Sequence, residues 1–181
     1  MVQKLFNAIL REGDVQLMAV NEFNRSAAAD YARKWALSRN PDFFDYSNIG
    51  GDCTNFISQI LYAGCGVMNY NRSFGWYYHN ANDKAPSWTA VAFLYDFLIG
   101  NQAEGPFAEQ VDMRGVSAGD LVQLGFRQRG LFEHSLFITK YEAPKLDRIY
   151  FAAHTQDLLD QPLTYYDAVD RRFLRIVGYR R

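Results

Sequence analysis

The stretch Gly50-Gly51-Asp52-Cys53-Thr54-Asn55-Phe56-Ile57-Ser58-Gln59 joins a loop to a helix and puts a cysteine at the junction. Phe56, Ile57, Ile60 and Leu61 form an apolar stripe on the helix that begins at Asp52, and Gly64 is expected to stop it. A cysteine in the first turn lies among unpaired backbone N–H groups at the positive end of the helix dipole, which favours the reactive thiolate. The two glycines let a substrate carbonyl approach the backbone, and the Cys53 N–H can help hold a developing oxyanion. A free cysteine is otherwise a small buried apolar group, so a nucleophilic Cys53 needs a base elsewhere in the chain.

Upstream, Arg25 to Ser38 reads as a helix with Asn24 as N-cap and with Tyr31 and Trp35 one turn apart on one face. Asn40-Pro41 ends it, because the residue before proline avoids the helical region. Met1 to Val20 is expected to hold one short helix. Downstream, Asn69 to Pro86 is a long loop rich in Asn and aromatics, and Ser87 can cap a third helix running to about Ile99. The second half changes character: Leu121 to Phe126, His134 to Thr139, Arg148 to His154 and Phe173 to Tyr179 read as strands. Helices followed by strands predict an α+β domain, with N-terminal helices packed on a mostly antiparallel sheet. The division expected is an arm or helix over residues 1–23 and one domain over residues 24–181.

The histidines are His79, His134 and His154. His134 opens one expected strand and His154 closes the next. If the two form a hairpin in which Lys140 pairs with Arg148, His134 falls directly opposite His154, on the same face and about 5 Å away at Cβ. A one-residue slip would make that relation diagonal. The hairpin then supplies a base, His134, and a group to orient it, His154, which is the logic of a catalytic triad. Asp157 is a second candidate for the orienting role. His79, among Trp76-Tyr77-Tyr78, reads as a loop or cleft-wall residue, and Cys65, after Gly64, as packing. Trp76, Tyr77 and Trp88 are expected to wall a cleft or to pack the core. A zinc site of one Cys and two His is a competing reading, disfavoured because no ligand pair has short helical spacing. The third reading is a binding module without turnover.

The chain has 181 residues, 49% hydrophobic and 16% aromatic, which suits one domain with a substantial core. Its 19 Lys and Arg against 20 Asp and Glu, for a net charge of -1, argue against nucleic acid as a partner. No run approaches the roughly 18 apolar residues of a membrane span. No secretory signal is visible at Met1 to Asp14, so a cytoplasmic location is expected unless the chain is cut from a longer exported precursor. Two cysteines are too few for a disulfide framework, and no cofactor motif is present.

The segment from Ala27-Ala28-Ala29-Asp30-Tyr31-Ala32 through Asn40-Pro41 to Gly50–Gln59 resembles the bacterial putative amidase domain family. So do Trp76-Tyr77-Tyr78, Ser87-Trp88-Thr89, Gly119-Asp120-Leu121-Val122, His134-Ser135 and His154-Thr155, in that order. That family is similar to papain-like cysteine hydrolases, including cell-wall endopeptidases. The resemblance implies a helix-borne Cys53, a strand-borne His134 and a third polar residue, His154, on the next strand. It further implies a structural turn at Gly119-Asp120 and a peptide or peptidoglycan-like substrate. A glutamine upstream of the cysteine, as in papain, has no counterpart here. Asn48, or backbone N–H groups near Asp52 and Cys53, would then supply the oxyanion donors.

Overall fold

The structure, a computed structural model, describes residues 18–181. The helix expected across Met1 to Val20 lies almost wholly outside the described residues, and Val20 itself begins a strand, β1 (Val20–Asn21). Buried Phe23 follows, and α1 (Arg25–Trp35) starts at Asn24, whose side chain accepts the Ala27 N–H at 3.0 Å. α2 (Cys53–Cys65) is buried along almost its whole length, as the central helix of the molecule. It runs past Gly64 and stops at Gly66, whose left-handed backbone (φ 67) lets its N–H reach the Tyr62 carbonyl.

The aromatic loop carries a small hairpin, β2 (Tyr78–Asn80) with β3 (Asp83–Lys84). The third helix is split into α3 (Pro86–Thr89) and α4 (Val91–Gly100) by an extended Ala90. Ser87 lies inside α3 rather than capping it, and its hydroxyl donates to the Gly75 carbonyl.

β4 (Gly105–Val111), β5 (Leu121–Gly125), β6 (His134–Tyr141), β7 (Ile149–Ala153), β8 (Leu158–Pro162) and β9 (Asp170–Arg180) complete the chain. With β1 they form one seven-stranded antiparallel sheet in the order β1-β9-β5-β6-β7-β8, with β4 on the far edge of β9. The fold is therefore α+β, with β1, β4 and β8 as strands of the sheet beyond those anticipated.

Alternation along the strands divides the core in two. Leu121, Phe137, Ala152 and Leu174 face the helices and meet Phe56, Ile57, Ile60, Trp76 and Trp88. Val122, Leu136, Ile138, Phe151 and Phe173 point the other way and are covered by Val116, Leu163 and Ala168. The turn at Gly119-Asp120 ties the halves together. The buried Asp120 carboxylate accepts the Ile176 N–H at 2.9 Å and the Ser117 N–H at 2.8 Å, and pairs with Arg25 of α1 at 2.8 Å. Among the described residues no helix is long and apolar enough to cross a membrane.

Candidate active site

Cys53 is the first residue of α2, and its side chain is buried against the start of β6. The Ser135 N–H is directed at its sulfur, and the Thr54 hydroxyl lies 3.7 Å from it. Thr54 Oγ1 is 3.2 Å from Ser135 Oγ, which accepts from Gln123 Nε2 at 3.1 Å, so a polar chain behind the cysteine fixes helix and strand together. Burial pushes the Cys53 thiol up, while the Ser135 and Thr54 donors pull it down less strongly. Gly51 (φ 105) sits where a side chain would crowd the Thr155 hydroxyl, so its lack of one lets Thr155 close on the backbone before the cysteine.

His134 heads β6 beside Ser135. Its Nε2 is 3.2 Å from the Tyr166 hydroxyl, and burial pulls its pKa down to about 4. It lines an open cavity of about 370 Å³ with Phe126, Glu133, Thr155, Gln156 and Tyr166. The thiol and the imidazole share no direct hydrogen bond; they are linked through Ser135, which follows His134 on β6 and meets Thr54, the residue after Cys53. Thr155 holds a left-handed backbone (φ 84), strained for a β-branched residue, and its hydroxyl accepts the Asp52 N–H at 3.1 Å. Both burial shifts favour a neutral thiol beside a neutral imidazole at rest.

The hairpin register differs from the expected one. Phe137 pairs with Ala152 and Ile138 with Phe151; an irregularity follows, and Lys140 then pairs with Tyr150 rather than Arg148. His134 shares its face with Leu136 and Ile138, whereas His154 turns to the helices and stacks on Phe56, ring centroids 3.8 Å apart. Its Nδ1 is 2.7 Å from Asp52 Oδ2 and its Nε2 is 2.9 Å from the Trp35 carbonyl oxygen. Acceptors thus occupy both nitrogens, and His154 does not orient His134. Asp157 is no substitute, because Arg39 holds both its oxygens, at 2.9 and 3.0 Å.

The remaining candidates also separate. The Asp52 carboxylate is fully buried, accepts the Tyr46 N–H at 3.0 Å and Asn55 Nδ2 at 2.8 Å, and has its own N–H taken by Thr155; it is no oxyanion donor in this arrangement. Asn48 is exposed in the turn before Gly50. Trp76 and Trp88 are fully buried and do not wall a cleft; their indole N–H groups donate to Ser58 and Asn55 of α2. Tyr77 lines a separate, outer basin with Tyr70, Arg72, His79 and Asp83. Cys65 is buried at the far end of α2, with its thiol pushed up to about 11. The zinc alternative finds no support, since no group of three or more His, Cys, Asp or Glu side chains is gathered around a metal position among the described residues.

A profile described as the Putative amidase domain matches residues 22–177. The chain belongs to the Putative amidase domain family. Membership points to amide hydrolysis in general terms, and the matched span holds every residue of the site just described. The Putative amidase domain protein is also 33% identical over 120 residues to the Uncharacterized protein YhbB of Bacillus subtilis (strain 168). That match covers 65% of this chain and 37% of the relative's length. No solved structure matches.

Proposed function

We propose that this chain is a cysteine-nucleophile hydrolase of amide bonds, acting on a peptide or a peptidoglycan stem peptide. The observation that carries the reading is the position of Cys53, the first residue of a buried helix, with its sulfur against the strand that His134 opens. Neutral His134 takes the Cys53 proton as the sulfur attacks the substrate carbonyl. The carbon–nitrogen bond breaks, the amine leaves with the proton from His134, and a thioester remains. Water, deprotonated by the same ring, then releases the acid and restores the thiol. At pH 7 the imidazole is neutral and holds an unprotonated nitrogen, and the burial that lowers its pKa also weakens it as a base until substrate changes its surroundings. Contacts looser than a direct Cys–His hydrogen bond are common before substrate arrives.

The experiment is turnover on a panel of peptides and peptidoglycan fragments, following the amine released. Wild type and Cys65→Ala are expected to hydrolyse a member of the panel, and Cys53→Ala to lose at least about a thousandfold with its fold intact. Equal turnover by Cys53→Ala would remove the thiol from the mechanism. A folded wild type inert on the entire panel would favour the binding-module reading.

A further inference from the structure

We infer that Tyr166, steered by Gln156, is the positioning residue that fixes the His134 tautomer and leaves Nδ1 free to accept a proton. The inference rests on the reading of His134 as the base. A Tyr hydroxyl has one hydrogen to donate. The Gln156 Oε1 atom, 3.3 Å away, can only accept, so the Tyr166 hydrogen is directed there. The hydroxyl lone pairs then face His134 Nε2 at 3.2 Å, and that contact is a hydrogen bond only when Nε2 carries the ring proton. A neutral imidazole has one N–H, so Nδ1 is left bare.

The rest of Tyr166 is built to hold that hydroxyl in place. Its ring sits edge-on to His134 with centroids 5.2 Å apart, stacks on Phe151 at 5.5 Å and meets Phe126 at 5.7 Å. Its backbone carbonyl accepts from Arg171 Nη2 at 3.0 Å. Burial pushes the phenol up to about 12, so it stays a neutral hydroxyl across the working range. The groups able to compete for the ring are engaged elsewhere: Glu133 pairs with Arg127 and accepts the Phe126 N–H at 3.2 Å, while His154 and Asp157 serve Asp52 and Arg39. The wrong tautomer disables a histidine base even when its position is kept, so one hydroxyl here controls the chemistry without touching substrate.

Two readouts test this in wild type, Tyr166→Phe and Gln156→Leu. Tyr166→Phe keeps the ring and its packing and removes only the hydroxyl. Long-range ¹H–¹⁵N spectra of histidine-labelled protein are expected to show His134 protonated at Nε2 in the wild type and as a mixture of tautomers in Tyr166→Phe. Labelling of Cys53 by iodoacetamide is expected to fall about ten- to a hundredfold in Tyr166→Phe, with Cys65 unchanged and Gln156→Leu between the two. A wild-type ring protonated at Nδ1, or an unchanged tautomer in Tyr166→Phe, would overturn the inference. The spectrum reports the tautomer without reference to catalysis, so an error in the base assignment shows separately, as a His134→Ala chain whose Cys53 labels as fast as wild type.

Discussion

At the scale of single residues, the Asp52–His154 pair separates structure from chemistry. Asp52 is fully buried, with the Tyr46 N–H and Asn55 Nδ2 on one oxygen, the His154 ring on the other, and Arg39 3.5 Å from the latter. Removing the ring takes the hydrogen-bond partner from a buried carboxylate oxygen and the stacked neighbour from Phe56, a combined cost of about 3 kcal/mol. His154→Ala is therefore expected to lose about 3 kcal/mol in urea unfolding; a loss below about 1 kcal/mol would contradict the structural role argued here. The place of Cys53 at a helix start was legible from sequence because a helix start after two glycines is a local matter, whereas the thiolate-favouring surroundings expected there are outweighed by burial, which pushes the thiol up. The role of His154 was not, because it depends on the β6–β7 register, and the irregularity between Ile138 and Lys140 moves every later pairing by one. The sequence carried no signal for Tyr166, which lies 32 residues from His134 in an irregular segment.

At the scale of elements, Gly64 shows two effects in opposition. Alanine within a helix is worth about 1 kcal/mol over glycine. A Cβ at Gly64 would overlap the Phe23 ring, which is buried and whose neighbour Asn24 donates its N–H to the Gly64 carbonyl at 3.0 Å. Neither ring nor backbone can retreat, and overpacking costs about 1–3 kcal/mol, so the clash wins. Gly64→Ala is expected to lower the melting temperature by a few degrees, and a rise would show that the contact relaxes freely. Strand and helix interiors were readable from apolar period alone. The break at Ala90 was not, having no proline or glycine to announce it, and β4 was hidden by its Gly105-Pro106 start, which reads as a turn.

At the scale of the whole molecule, the site forms where three distant stretches meet: the head of α2, the start of β6 and the segment between β7 and β9. The α+β class followed from the order of helices and strands, and one sheet buried on both faces holds those stretches in place. The most direct test of the account is the pH dependence of Cys53 alkylation by iodoacetamide, with Cys65 as internal comparison. His134 is pulled down to about 4, so it remains a neutral base as pH falls from 8 to 5 and is lost only as pH falls through about 4. Cys65, with its thiol pushed up to about 11, has no such help. Cys53 labelling is expected to change little across pH 5–8 while Cys65 labelling falls steeply as pH falls, and the flat Cys53 profile is expected to be lost in His134→Ala. Labelling of both cysteines only in alkali, indifferent to His134, would contradict the account.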